Sequence, residues 1–379
     1  MEPIILSIDT SCDETACAVT VGRKVLANVI YSQVLIHKKW GGVVPSLAKR
    51  AHEERIDFVV EEAVRKFMRY SKNNHQSELE SRIDGTGPHT HAPDDYFLRN
   101  AFRFIDSIAV TQGPGLAMAL EVGMKKAKAL ALRYNKKIIP VNHLEGHIYS
   151  PFAQNSTGNP ERKFAFPCLA LIISGNHMDI VLMRDHVTYE ILGKTVDDAA
   201  GEALDKAARM LGFGYPGGEV IERLANEVDN VDEYHFPRPM LHIKDLRFSF
   251  SGLKTSLFYF LKKMPEDEKF QNIRKIASSF QEAVFETIVK KTEEAIKQTG
   301  IRNIIAGGGV TANKHLRKKL RRLVKKHDGS VLFPPYSYLT GDNAAMIGVA
   351  AYYKMRKGIF VQDMDGFDRL PRFSLVNSA

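Results

Sequence analysis

Cysteine is scarce in this chain: only Cys12, Cys17 and Cys168 occur among 379 residues. Three thiols cannot build a disulfide framework, and so few of them fit a reducing compartment. No run of about 18 apolar residues is present, which argues against a membrane-spanning helix. The opening residues Met1-Glu2-Pro3-Ile4-Ile5-Leu6 enter a strand-like segment with no charged n-region, no cleavage site and no Arg-rich amphipathic leader. Neither secretion nor organelle import is therefore expected, and a cytoplasmic location is. There is also no Gly-x-x-x-x-Gly-Lys-Ser/Thr loop, so a P-loop nucleotide site is excluded.

What is present is an ordinary globular composition, 44% hydrophobic and 26% charged. The length is enough for a substantial core and about two domains. A formal net charge of +9 admits a polyanionic partner, although solubility alone also accounts for it.

Residues 4–9, 16–21 and 24–31 read as strands, with the polar turn Thr10-Ser11-Cys12-Asp13-Glu14-Thr15 between the first two. Gly41-Gly42-Val43-Val44-Pro45 opens a helix running to about Met68, with proline suited to its first turn. From 70 to 98 apolar periodicity disappears and Ser, Asn, His, Asp, Gly and Pro dominate, so an exposed, mobile inserted loop is expected there. Its histidines, His75, His89 and His91, read as part of a solvated tract rather than as metal ligands. A strand at 105–111, a helix at 116–134 and a strand at 137–141 complete the first half.

The second half repeats the plan. Strands at 166–173, 178–184 and 188–192 precede helices at 199–211, 218–226, 252–263 and about 272–299. A strand at 302–306, a basic helix, a strand at 330–333 and a helix at 341–357 follow. This order suggests an α/β, two-lobed actin-like/Hsp70-like (ASKHA) fold, each lobe ribonuclease-H-like with a mixed sheet flanked by helices. The lobes are expected at 1–145 and at 146–379. A helical insertion is expected at 195–300, with the last helix free to pack back on the N-terminal lobe.

Several motifs could carry chemistry. In a helix, His143 and His147 would lie on one face about one turn apart, a spacing suited to two nitrogen ligands of one metal, though also to two packing histidines. Zinc peptidases place a glutamate directly after the first histidine. Here Glu145 lies two residues on, about 200° around the helix, so a peptidase would lack its general base. Gly212, Gly214 and Gly217 form a literal Gly-x-Gly-x-x-Gly, but a helix rather than a strand precedes them, which argues against a dinucleotide site. Gly307-Gly308-Gly309 stands between a strand and a helix, where bare amides can meet phosphate or sugar oxygens. Asn313, in the helix's first turn, could bind a ribose or cap the helix. That helix carries Lys314, Arg317, Lys318, Lys319, Arg321, Arg322, Lys325 and Lys326, which read as a solvated face or as a phosphate-backbone contact. Asp342 can cap the last helix or complete a two-histidine metal site.

Nine stretches in order, SIDTSCDETACAV, GGVVPSLAKRAH, GPGLAMALEVG, NHLEGH, ISGNH, DDAAGEALDKAARMLGFGYPGG, FSFSGLKT, AGGGVTAN and GDNAAMIG, resemble the tRNA N6-adenosine threonylcarbamoyltransferase family in its bacterial-type (TsaD) branch. The resemblance covers nearly the whole chain apart from 70–98 and the C-terminal tail. It implies transfer of threonylcarbamoyl from threonylcarbamoyl-AMP to the exocyclic amine of adenosine 37 in tRNAs reading codons that begin with A. It also implies TsaB-like and TsaE-like partner proteins, no membrane, and one divalent metal ion, iron or zinc, per subunit.

By motif position, His143, His147 and Asp342 correspond to the family's metal ligands. Ile173, Ser174, Gly175, Asn176 and His177 match its substrate-binding turn. Asp205, Gly218 and Asn313 match the residues that hold the adenylate, and Asp13 and Glu14 an acidic pair implicated in catalysis. The chain departs from the family pattern at Ser46, Asn142, Asn176 and Ala344. None of these is a mapped metal ligand.

Overall fold

The computed structural model describes residues 2–74 and 94–377. Strand β1 (Ile4–Asp9), buried from Ile5 onward, pairs antiparallel with β2 (Glu14–Val21), which pairs antiparallel with β3 (Lys24–Ser32). On its other edge β1 runs parallel to β4 (Ser107–Gly113), and β4 parallel to β5 (Lys137–Asn142). The order is therefore β3-β2-β1-β4-β5. Inner strands of this kind are covered on both faces, which is why they read as nearly continuous apolar runs.

Alternation along β1 sorts the two covers. Leu6 and Ile8 join the core formed with helices α2 (Pro45–Asn74) and α4 (Ala117–Tyr134). Ser7 faces the other way and donates to the carbonyl of Ala344, 2.6 Å away, at the start of α11 (Ala344–Arg356). These elements, with α3 (Asp94–Phe102) and α5 (His143–Tyr149), belong to one unit comprising Met1–Gln33, Val44–Lys163 and Asp342–Ala379.

The other unit comprises Val34–Val43, with the short helix α1 (Val34–His37), and Phe164–Gly341. Its sheet repeats the plan. Strand β6 (Cys168–Ile173) pairs antiparallel with β7 (Met178–Asp185) and parallel with β9 (Asn303–Gly307). Strands β8 (Thr188–Lys194) and β10 (Ser330–Leu332) lie outside, giving β10-β9-β6-β7-β8. Helices α6 (Ala200–Met210), α7 (Gly218–Asn226), α8 (Ser251–Lys263), α9 (Glu266–Thr299) and α10 (Lys314–Lys326) supply side chains to one core with that sheet.

Two expectations are corrected. The proposed loop 70–98 is helical at both ends, since α2 continues to Asn74 and α3 begins at Asp94; residues 75–93, including His75, His89 and His91, lie outside the described residues. The long helix starts at Glu266, not near Asn272. Pro265 precedes it, and Glu266, Asp267 and Glu268 in its first turn complement the helix dipole. Among the described residues no helix is long and apolar enough to cross a membrane.

Candidate functional site

Helix α5 is seven residues long and wholly buried, far too short to hold itself together in water. Its cap does part of that work. The Asn142 side chain accepts from Leu144 N (2.9 Å), and Glu145 Oε2 accepts from Asn142 N (3.0 Å), a reciprocal capping box. This explains the departure at Asn142: it is the N-cap. Glu145 is tied a second time by Lys354 Nζ on α11, 3.1 Å away, with both side chains essentially excluded from water. A Cβ at Gly146 would come within 2.9 Å of Met346 and Ile347, so only glycine lets α5 and α11 approach this closely.

These contacts present both imidazoles to the same point. His143 Nε2 and His147 Nε2 each lie 3.4 Å from Asp342 Oδ1, and three potential ligand atoms fall within 4.8 Å of one another. Behind His143 stand Asp9, which the sequence reading did not single out, and Ser11 of the polar turn. Asp9 Oδ2 is 3.5 Å and Ser11 Oγ 3.1 Å from Nδ1. A carboxylate this near Nδ1 favours a proton on that nitrogen and frees the Nε2 lone pair for a metal, the usual backing of a metal-ligating histidine. The one available signal was an acid ending an otherwise buried strand, IILSID.

The electrostatics are those of a ligand set. Burial opposes a charge on His143, but Asp342 and Asp9 outweigh it and hold its pKa well above the ordinary value. His147 is lowered, first by burial and also by the neighbouring His143 charge, despite its contact with Asp342. Burial likewise pushes Asp342 up, yet the two histidines hold it well below the usual carboxylate range. Among the described residues neither ring nitrogen of His147 nor Asp9 Oδ2 has a hydrogen-bond partner. Buried polar atoms without partners are costly. Two imidazoles and a carboxylate fit a divalent iron or zinc ion.

The acidic pair lies beside this cluster. Asp13 is 5% exposed. Glu14 accepts from Ser32 Oγ at 3.3 Å. Its pKa is raised well above the usual range, by burial first and then by the charges of Asp13 and Asp342. The Cys12 thiol is pushed up by burial and by the same acids, which argues against it as a nucleophile.

The other unit holds the remaining site residues. The turn Ser174–His177 joins β6 to β7, with Ser174 Oγ accepting from His177 N at 3.1 Å. Helix α6 starts against it: Gly201 N and Glu202 N donate to the Ser174 and Gly175 carbonyls. The Gly307–Gly309 loop reaches the same place, because Gly308 (φ +99°) would put a Cβ 2.5 Å from the Ile173 carbonyl oxygen. Asp205 Oδ1 accepts from Gly217 N (2.7 Å) and Gly218 N (3.0 Å), joining two of the expected residues. The literal glycine fingerprint here follows α6, a helix, as expected. Asn313 caps α10 through His315 N and Leu316 N and donates to Gln281 Oε1 at 2.9 Å, so its side chain is engaged within the fold. Gln281 was not foreseen.

The sequence model of the TsaD family, tRNA N6-adenosine threonylcarbamoyltransferase, matches residues 24–70 and 99–349. A protein of that name from Thermosipho africanus is 42% identical over 358 residues, covering 94% of this chain and 96% of the relative. Another, from Endomicrobium trichonymphae, is 44% identical over 354 residues, covering 93% of each. The chain belongs to the TsaD family.

It is an enzyme, a transferase, as the TsaD relatives are named. Solved structures add the fold alone. HypF from T. kodakarensis superposes with a TM-score of 0.51 at 15% identity, covering 70% of this chain and 44% of that one. Full-length HypF in a phosphate- and nucleotide-bound form gives 0.53 at 13%, covering 94% and 47%. With the paired sheets, these place the TsaD chain in the actin-like (ASKHA) class.

Proposed function

We propose that this chain is a cytoplasmic enzyme that transfers threonylcarbamoyl from threonylcarbamoyl-AMP to the exocyclic amine of adenosine 37, in tRNAs reading codons that begin with A, and releases AMP. The observation that carries the reading is the buried His143–His147–Asp342 cluster, backed by Asp9 and with no hydrogen-bond partner for the His147 ring among the described residues, in a chain of the TsaD family.

His143, His147 and Asp342 would hold one iron or zinc ion, which when bound polarises and orients the threonylcarbamoyl carbonyl as a Lewis acid. Ile173, Ser174, Gly175, Asn176 and His177, with Asp205, Gly218 and Asn313, hold the donor's nucleotide. For Asn313 the role is indirect, through the cap and the Gln281 contact. The adenosine nitrogen forms a bond to the carbamoyl carbon, and the bond from that carbon to the AMP phosphate oxygen breaks. An aromatic amine is a weak nucleophile, so its proton passes to Asp13 or Glu14 as attack proceeds; the raised pKa of Glu14 suits an acceptor. AMP departs as a stabilised phosphate. Glu145, held by Lys354 and by the cap, is unavailable as a peptidase base.

Purified chain with iron or zinc, threonylcarbamoyl-AMP, unmodified tRNA and TsaB-like and TsaE-like proteins should yield threonylcarbamoyladenosine on digestion of the tRNA. Asp13→Asn and Glu14→Gln should keep donor binding and lose transfer in at least one case. ATP turnover or peptide cleavage without modified nucleoside would overturn the reading.

A further inference from the structure

Helix α10 carries eight Lys and Arg side chains, and the structure divides them into three sectors. Leu316, Leu320, Leu323 and Val324 are buried and occupy one side. On one flank the cations are already spent on α9: Lys319 and His315 pair with Glu282, and Lys326 and His327 with Glu293. On the opposite flank Arg317 donates to the Thr311 carbonyl and stacks over Phe333.

That leaves Lys314, Lys318, Arg321, Arg322 and Lys325, all exposed. At 100° per residue they fall within an arc of roughly 100° whose centre is nearly opposite the buried leucines. Over that arc the steps Lys314–Lys318–Arg322–Lys325 advance by roughly 5–6 Å, about one helical turn each, for a total near 16 Å. The guanidinium of Arg321 lies 5.3 Å from the Phe333 ring centroid. The side chains of Lys318, Arg322 and Lys325 have no carboxylate partner among the described residues.

We propose that this outward arc of α10 is a contact surface for the phosphate backbone of the tRNA substrate. A merely solvated face would gain from interspersed carboxylates. Here, among the described residues, the carboxylates that pair with α10 side chains lie on one flank, Glu222 accepts only from the backbone N of Lys314 at the helix start, and Lys318, Arg321, Arg322 and Lys325 form a row of cations. A protein partner would seek an apolar or aromatic anchor at its centre, and the arc has none. A stepped row of Lys and Arg instead matches a repeating anion, with no base-reading geometry required.

The proposal rests on the tRNA reading above, and its test separates the two. Binding of unmodified tRNA is measured against salt concentration for the wild type and for Lys318→Gln/Arg322→Gln/Lys325→Gln. A control, Lys244→Gln/Lys262→Gln/Lys263→Gln, removes the same charge from exposed lysines elsewhere on this unit. The α10 variant should bind tRNA more weakly, with the slope of log K against log salt smaller by about 2 to 3. Its melting temperature should match the wild type, and Lys318→Arg/Lys325→Arg should restore binding. A slope equal to wild type, or an equal loss in the control, overturns the surface. Unchanged tRNA binding with loss of a protein partner would assign the arc to that protein and overturn it too. Wild-type chain that neither binds nor modifies tRNA would instead sink the functional reading itself.

Discussion

The two sheets share one strand order and one pattern of parallel and antiparallel pairs, yet their corresponding first hairpins are furnished in opposite ways. Between β1 and β2 the turn is packed with side chains. Thr10 Oγ1 donates to the Ala119 carbonyl and accepts from Gly123 N, Ser11 meets His143, and Asp9 stands behind it. Between β6 and β7 the turn closes on itself, Ser174 Oγ accepting from His177 N, with open space beside Gly175. The same backbone position thus carries a network of engaged side chains in one unit and an open glycine in the other, which under the proposed function would suit backbone recognition of the donor. Fold alone does not set the chemistry; the residues on the turn do.

The sharpest way to break the first of these arrangements lies one layer behind it. Lys354→Met would leave Glu145 buried without its cation, a loss of about 3–5 kcal/mol, read as a lower midpoint in denaturant unfolding. Lys354→Met/Glu145→Leu should recover much of that, because it removes both charges. The exposed pair Lys326–Glu293, with Lys326 mostly in water, offers the contrast: Lys326→Met should cost at most about 1 kcal/mol. If Lys354→Met were equally mild, the pair would not be what holds α5.

Among the acids buried at the two hairpins, Asp9 and Asp179 stand in contrasting surroundings. Asp9 meets His143, whereas Asp179, just after the β6–β7 turn, is pushed up to about 6 by burial, with Lys194 opposing. Its folded pKa exceeds the ordinary 3.8, so the folded state binds more protons between these values and stability falls as pH rises. The penalty is absent below about 4, complete above about 6, and amounts to roughly 3 kcal/mol at pH 7. Asp179→Asn should therefore stabilise the protein at pH 7 and leave it unchanged at pH 3.5, in unfolding measured at both. A gain independent of pH would refute the burial account.

Asp9→Asn tests the acid that meets His143. The amide can still reach His143 but carries no charge. Metal affinity, measured by competition with a chelator, should fall by about 10–100-fold. An unchanged affinity would show that Ser11 alone suffices to orient the ring.

The elements themselves were legible because apolar periodicity is local. Strands of alternating or continuous apolar character, the proline at 45 and the glycines closing helices all sit within a few residues of what they determine. The spacing of His143 and His147 was legible for the same reason, while Asp342 was open between a helix cap and a third ligand until motif resemblance joined it to them. What stayed hidden were contacts across the chain. Glu145 meets Lys354 over 209 residues and Ser11 meets His143 over 132, and no window of sequence contains both partners. A lysine inside the apolar run AAMIGVAAYYKMR was a trace of the first. The helical ends of 70–98 were missed because polar composition masked them.

The β6–β7 turn supplies the smallest expected effect and the finest test of the comparison. A Cβ at Gly175 would meet nothing within 4 Å, and its φ lies outside the left-handed region. Gly175→Ala should therefore shift stability by no more than about 0.5–1 kcal/mol, in the stabilising direction if the unfolded chain loses freedom. Under the proposed function, a methyl group there would nevertheless occupy space that the donor's nucleotide needs to approach the backbone. Threonylcarbamoyl-AMP or AMP should bind more weakly in titration calorimetry while the melting temperature holds or rises. If instead the melting temperature dropped by several degrees with binding intact, the glycine would be serving the backbone, and the contrast between the two hairpins would be one of folding rather than of recognition.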